Sequence, residues 1–310
     1  MIIGAFTAAT DTGRKRRRNE DAYVLAPPLF AVADGMGGAQ AGEVASKLAA
    51  AALSDTDPGA LSGTERVTSL FQEANRRVYE RSATDPAVSG MGTTMTVGLV
   101  EGDEVVIGHV GDSRAYLLRD GRFEQLTDDH SLVNELMKSG KLSPEEAETH
   151  PQRAVITRAL GTDPDVDVDA FAVGAHEGDV FLICSDGLTT MVDDDDILTL
   201  LERHHDDLPK AAKALIAAAN RSGGEDNITV VAFEIAGPDP AEDVGETLTM
   251  AAPGSELDDT AVGIPSPAAD AADAKLASAP EPAAARLRLA LTMLGLLAVA
   301  AVLLVWGLVR

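Results

Sequence analysis

The chain has 310 residues and a mass of 32.2 kDa, with 50 acidic against 25 basic residues and a formal net charge of −25. That charge opposes binding to a phosphate backbone and argues against a nucleic-acid partner, and a hydrophobic fraction of 45% excludes wholesale disorder. A single cysteine, Cys184, excludes both a disulfide framework and a thiolate zinc site and fits a reducing compartment.

The length suggests one core of about 200–250 residues plus appendages. No signal peptide is expected, because the N-terminus turns charged by Asp11 without an apolar segment. Short strands are expected at Ala22–Leu25 and Leu29–Ala33, followed by an Ala-rich helix over Ala39–Leu53. The spacing of Val67, Leu70, Phe71, Ala74 and Val78 predicts a second helix over Thr64–Ser82. Strand-length apolar runs follow at Thr93–Val100, Val105–Val110 and Ala115–Leu118. Glu101-Gly102-Asp103 and Asp120-Gly121 supply their hairpin turns. Ser143-Pro144-Glu145-Glu146 reads as a helix N-cap, a first-turn proline and two acids that suit the helix dipole. A strand at Val180–Cys184, helices at Asp193–His204 and Leu208–Arg221, and a strand at Ile228–Phe233 complete the body. Hairpin strands grouped between helix pairs predict an α+β fold whose sheets are covered by helices.

The body ends at residue 236 and is acidic in its own right, with 40 acids against 21 bases. Residues 237–285 hold 7 of the 15 prolines, ten acids, one lysine and no aromatic residue. Such a segment buries too little apolar surface to offset its ordering entropy and is expected to be a disordered tether spanning roughly 40 Å. Leu289–Val309 then runs 21 residues without a charge. As a helix it would be about 31 Å long, the thickness of a bilayer's hydrocarbon core. With Arg286 and Arg288 before it, the positive-inside rule predicts a single-pass membrane anchor at 286–310 and a cytoplasmic body.

The acids are placed in a pattern. Glu20 and Asp21 stand just before Ala22–Leu25, and Asp34 ends the next strand. If those strands pair as a hairpin, these three carboxylates share one sheet edge. Asp112 follows one strand, Asp186 follows another, and Asp226 precedes the last. Five or six carboxylates on one rim would repel unless protonated or joined by a cation. Oxygen-only ligands favour a hard ion, Mg²⁺ or Mn²⁺. Asp34-Gly35-Met36-Gly37-Gly38 allows close backbone approach and a carbonyl turned toward an ion, and Asp186-Gly187 repeats the device. A phosphate-cradling P-loop is excluded, since no Lys-Ser/Thr follows. The basic run Arg14 to Arg18 reads either as a solvated face or polybasic patch or, since it leads into Glu20-Asp21, as a place where a guanidinium fork could serve phosphate recognition.

The strings Arg16–Asp21 (RRRNED), Asp34–Gly38 (DGMGG), Gly90–Thr94 (GMGTT), Gly111–Arg114 (GDSR), Cys184–Gly187 (CSDG) and Glu225–Asn227 (EDN) occur in that order across residues 1–236. In this the sequence resembles the metal-dependent Ser/Thr protein phosphatases of the phosphatase 2C family, in their bacterial form. The resemblance implies an αββα sandwich of two central antiparallel sheets flanked by helix pairs. It implies hydrolysis of phosphoserine and phosphothreonine by a metal-activated bridging water, with Mn²⁺ or Mg²⁺ as cofactor. Carried over by position, Asp34 would bridge two ions and the Gly35 carbonyl would bind one of them. Asp186 and Asp226 would complete the first site, Glu20 would hold waters of the second, and Asp21 would support it. Asp112 with Asp186 would form a third, looser site. Arg16 matches the phosphate clamp. In bacterial members the flap, here 131–160, gives the third ion a carbonyl, near Ala154 in this chain. No phosphoenzyme is implied, so Cys184 is a small core residue.

Met36 stands where animal members carry a histidine proposed to protonate the leaving group. A metal-bound water is then the first candidate acid. His130 is the second, although a helix-entry role suits it better, and His109 reads as a core histidine. The implied partners are phosphorylated proteins, Ser/Thr kinases with their substrates, and the membrane through the C-terminal helix. The rival functions are a non-catalytic phosphoprotein-docking module of the same fold and a two-metal phosphodiesterase or nuclease.

Overall fold

Strands covered on both faces read as continuous apolar runs, and the interior strands of this chain read that way because three hydrophobic layers enclose them. The structure is a computed structural model that describes residues 1–37, 41–56, 59–148 and 150–237. Gly38, the Ala39-Gln40 start of the expected first helix, the tether beyond Gly237 and the expected membrane helix at 286–310 lie outside these residues. Among the described residues no helix is long and apolar enough to cross a membrane.

In chain order the strands are β1 (Ile2–Asp11), β2 (Asp21–Ala26), β3 (Leu29–Met36), β4 (Gly92–Thr93), β5 (Met95–Glu101), β6 (Glu104–Val110), β7 (Arg114–Arg119), β8 (Arg122–Gln125), β9 (Asp169–Gly174), β10 (Val180–Cys184) and β11 (Ile228–Ala236). The helices are α1 (Ala41–Asp55), α2 (Gly63–Thr84), α3 (Leu132–Lys138), α4 (Pro144–Glu148), α5 (Asp186–Thr189), α6 (Asp194–Arg203) and α7 (Leu208–Arg221). One antiparallel sheet runs β1-β11-β10-β7-β8. The other runs β2-β3-β5-β6-β9, with β4 paired to β3.

Side-chain alternation divides each inner strand between two cores. Phe30 and Val32 of β3 join Ile107 of β6, Phe181 of β10 and Phe233 of β11 between the sheets. Leu29 and Ala31 face the other way, onto α1 and α2 with Phe71 and Val78. Leu182, Val230 and Ala232 face α6 and α7. Stacked rings of Phe30, Phe233 and Phe181, with centroids 4.2 and 5.2 Å apart, fill the centre. The helix-sheet-sheet-helix order follows from these three apolar spaces.

The hairpin expectations hold. Residues Asp120 and Gly121, both at positive φ, turn β7 into β8, and Gly102 at φ 65° turns β5 into β6. Ser143 and Glu146 form a reciprocal capping box at α4, Ser143 N–H to Glu146 Oε2 at 2.9 Å and Glu146 N–H to Ser143 Oγ at 3.2 Å. Strands β1, β8 and β9 were not among the expected elements. All three are sheet edges whose residues are mostly exposed or half-exposed.

Candidate metal centre

Strand pairing sets the site. In the β2–β3 hairpin Asp21 lies directly opposite Asp34, so the start of one strand and the end of the next do share an edge. Asp112 lies in the loop after β6, Asp186 opens α5 just after β10, and Asp226 sits two residues before β11. The two sheets bring all five to the same end of the sandwich. Asp34 feels the charges of Asp21, Asp186, Asp112 and Asp226.

Each carboxylate is held from behind. Asp21 is buried, and its Oδ2 accepts from Ser185 Oγ at 2.9 Å and Thr229 Oγ1 at 2.6 Å. The backbone of Asp34 is clamped by the threonine pair of the GMGTT string. Thr93 Oγ1 and Thr94 N–H donate to its carbonyl at 2.8 and 2.9 Å, and its N–H donates to Thr94 Oγ1 at 3.1 Å. Gly111, at φ 114°, lets the loop before Asp112 pass within contact of Thr94, where a Cβ would meet the Thr94 side chain at 2.5 Å. Asp226 accepts from its neighbour Asn227 N–H at 2.8 Å and from Arg16 Nη2 at 2.6 Å.

Asn227 ties the basic loop to this rim. Its Nδ2 donates to the carbonyls of Thr12 and Arg18 at 2.9 and 2.8 Å, and its Oδ1 accepts from Glu20 N–H at 2.7 Å. The Glu20 carbonyl in turn accepts from Ser46 Oγ of α1 and from Gly35 N–H. Ser185, Thr229, Asn227, Thr93 and Thr94 are supports that the sequence reading did not single out. All of these but Thr229 nevertheless lie within the strings that carry the resemblance.

Electrostatics concentrate negative charge at the rim. Burial, then the four neighbouring aspartates, holds Asp34 well above the usual carboxylate range. Burial pushes Asp21 up to about 7 against the pull of two hydroxyl donors. Asp112 rises to about 7 through burial and then the charges of Asp186 and Asp129, and Asp186 to about 6 through burial and then Asp226. Glu20 is raised by burial, against the pull of Arg16. Groups so placed cannot all ionise at neutral pH unless a cation joins them. Two oxygens, Asp21 Oδ1 and Asp186 Oδ1, are buried with no hydrogen-bond partner. Such oxygens are open to a further partner, an ion or a water. Among the described residues no three His, Cys, Asp or Glu side chains enclose an ion by themselves. Mg²⁺ and Mn²⁺ commonly keep several waters and need fewer protein side chains than that.

The remaining candidates fall elsewhere. Both histidines next to the site are structural. His109 is fully buried between Thr96 Oγ1 and the Asp128 carbonyl, and burial pushes it down to about 3. The ring of His130 accepts from Gly111 N–H through Nδ1 and reaches Asp169 Oδ2 through Nε2, so it joins the Asp112 loop to β9. With both ring nitrogens engaged, His130 is not a proton donor to substrate, and the helix entry is capped by the next residue, Ser131. Cys184 is fully buried, its thiol pushed up to about 12 by burial, and is a core residue as expected. Ala154 is exposed in the segment whose ends are pinned by the bridges Ser131↔Ile156 and Thr93↔Leu160.

The family model described as Protein phosphatase 2C matches residues 14–220. The serine/threonine phosphatase stp of Listeria monocytogenes is 42% identical over 236 residues, covering 73% of this chain and 93% of its own. The protein phosphatase PhpP of Streptococcus pneumoniae is 39% identical, covering 71% and 93%. Among solved structures, the Mycobacterium tuberculosis phosphatase PstP/Ppp superposes with a TM-score of 0.70 at 39% identity, over 76% of this chain and all of that one. A structure of the PstP catalytic domain in complex with two manganese ions has a TM-score of 0.70 at 38% identity, over 76% and 99%.

Proposed function

Because the chain belongs to the protein phosphatase 2C family, we propose that its acidic rim is where this enzyme holds its divalent ions and receives a phosphorylated side chain. The enzyme is a protein-serine/threonine phosphatase that depends on Mn²⁺ or Mg²⁺. The observation that carries the assignment of residues is the convergence of Asp21, Asp34, Asp112, Asp186 and Asp226 with two buried, unpartnered oxygens.

In this reading Asp34, the Gly35 carbonyl, Asp186 and Asp226 would hold a first ion, with Asp34 serving a second as well. Glu20, with Asp21 behind it, would serve the second through waters, and Asp112 with Asp186 would hold a third. When bound, the ions acidify a water to give a nucleophile at neutral pH and offset charge on the phosphoryl oxygens. The chain's own groups do the rest. Ser185 and Thr229 fix one oxygen of Asp21 and leave the other toward the rim. Asn227 sets the loop that carries Arg16, whose guanidinium stands beside Asp226 with its side chain half exposed. From there it can clamp the phosphoryl group and hold it in line, so that the residues work by positioning and electrostatics. A cysteine or histidine nucleophile has no place here, since Cys184 is sealed in the core and both nearby imidazoles are hydrogen-bonded on each nitrogen.

The substrates we propose are phosphoproteins made by Ser/Thr kinases. The uncharged run Leu289–Val309, preceded by Arg286 and Arg288, supports a membrane anchor with the catalytic body on the cytoplasmic side. Hydrolysis of an aryl phosphate in the presence of Mn²⁺ tests the site. Asp34→Asn is expected to abolish turnover and weaken Mn²⁺ binding, and near-normal activity in that variant would show that the common-ligand assignment is wrong.

A further inference from the structure

A groove of about 500 Å³ runs between β1 and α7, beside the acidic rim and separate from it. That volume lies within the range of specific binding sites, roughly 300–1,000 Å³. Ala9, Ile216 and Ala217 give it an apolar part of its lining. Its walls carry Arg14, Lys213 and Arg221, all exposed, and among the described residues none of the three is in an ion pair. On a body that carries 40 acids against 21 bases, three unpaired cations around one groove are a concentration that the composition does not supply by itself. The helix spacing is deliberate in effect. Lys213, Ala217 and Arg221 recur every four residues, so they share one stripe of α7 while Ala211, Leu215 and Ala219 face the core.

Two further features indicate what fits. Strand β1 is the edge of its sheet, paired with β11 on one side only. Alternate residues of an edge strand present N–H and C=O groups outward, where an extended peptide can add. The basic loop also links the groove to the rim. The N–H groups of Arg14 and Lys15 both donate to the Gly224 carbonyl, and two residues on from each strand of that contact stand Arg16 and Asp226, bonded at 2.6 Å. Two residues of chain span at most about 7 Å, so a peptide whose phosphoryl group lies by Arg16 reaches the groove with its next few residues. One acid, Asp11, also lines the groove. It is engaged by Gly13 N–H and Asn220 Nδ2, which leaves the positive wall to the α7 side and Arg14.

We propose that this groove is a substrate subsite that takes an extended, acidic stretch flanking the phosphoserine or phosphothreonine of a protein substrate. The subsite rests on the phosphatase reading of the rim and adds to it a substrate class: phosphoproteins with Asp or Glu a few residues from the phosphorylated position. The acids meet Lys213, Arg221 and Arg14, and the peptide backbone runs along β1.

The test uses the full chain with Mn²⁺ and two phosphothreonine peptides of equal length, one with an Asp/Glu flank and one with a Gln/Ala flank. Wild type is expected to favour the acidic peptide roughly tenfold in kcat/KM, the product of about threefold for each of two exposed charge pairs. The difference should lie in KM and flatten at about 0.5 M salt, where screening is nearly complete. The double variant Lys213→Gln/Arg221→Gln is expected to lose the preference while hydrolysing an aryl phosphate, which has no flank, at the wild-type rate. Equal kcat/KM on both peptides in wild type, or a preference that survives in the double variant, overturns the proposal alone. A wild-type enzyme that hydrolyses neither peptide overturns the phosphatase reading and the subsite together.

Discussion

Gly42 is the second residue of α1, buried, and it sits where the helix start meets the end of β3. A Cβ built there would stand 2.5 Å from Glu20 Oε2, 2.6 Å from the Gly35 carbonyl oxygen and 2.8 Å from its carbon. Ordinary contact begins at 3.4 Å, so Gly42→Ala requires a displacement of about 0.8 Å at the proposed metal-binding carbonyl, and Glu20 must swing away. Two effects on stability oppose each other. Alanine is about 1 kcal/mol better than glycine inside a helix, and overpacking costs about 1–3 kcal/mol. The net loss is then about 0–2 kcal/mol, a fall in Tm of at most about 8 °C for a domain of this size. Turnover has no such compensation, because a misplacement near 1 Å costs on the order of 10²-fold. The variant is therefore expected to fold, to melt within a few degrees of wild type, and to lose roughly 10- to 100-fold in kcat, with more Mn²⁺ needed for half-maximal activity. Aryl phosphate hydrolysis across a Mn²⁺ titration, with calorimetry on the same samples, measures both. A kcat within twofold of wild type at an unchanged Mn²⁺ requirement would refute the role of the Gly35 carbonyl and Glu20.

Arg16→Ala is expected to raise KM for phosphopeptides roughly tenfold, the low end for a charge-assisted hydrogen bond, with a smaller change in kcat; an unchanged KM would return the arginine to the solvated surface. His109 supplies the pH dependence. Burial lowers its pKa from 6.5 to about 3, so its stabilising contribution is complete above pH 6.5 and is lost as pH falls toward 3. Each unit below 6.5 costs about 1.4 kcal/mol while the folded imidazole stays neutral. The stability advantage of wild type over His109→Gln is therefore expected to shrink by about 2 kcal/mol between pH 7 and pH 5 in denaturant unfolding, and a constant or widening gap would contradict a neutral buried ring.

Much of this was legible in the sequence, for a physical reason. Strands in the middle of the two sheets face a core on each side, so β3, β5, β6, β10 and β11 appear as apolar runs, and the acids at their ends stand out by contrast. Edge strands lack that contrast. In β1 only Thr7 is buried, and Phe6 is 42% exposed, so neither alternation nor a continuous run marks it, yet the strand forms one wall of the groove. The site divides in the same way. Carboxylates at strand ends are conspicuous because they are costly there, whereas Ser185 and Thr229 look like any turn or strand residue until the fold aims both hydroxyls at Asp21. His130 was placed at a helix entry by its neighbours in sequence. Its ring instead serves Gly111 and Asp169, 19 and 39 residues away, contacts that no local pattern carries.

The location of the acids also explains why the site sits at a seam. Asp21 and Asp34 belong to the β2–β3 sheet, while Ser185, Asp186, Asp226 and Thr229 belong to the strand ends of the other. The bonds from Ser185 and Thr229 to Asp21, and from Glu20 N–H to Asn227, are therefore cross-sheet bonds. Away from this edge the sheets are joined by apolar packing, the stack of Phe30, Phe233 and Phe181 among it. At the edge they are joined by polar groups that include four carboxyls held above their ordinary range. Like charges shared between two sheets push them apart, and divalent ions held from both sides, as proposed, would draw them together. With the proposed ligands, metal affinity and closure of the sandwich edge would be one interaction, since ligands supplied by separate elements make the free energy of metal binding part of the free energy of folding.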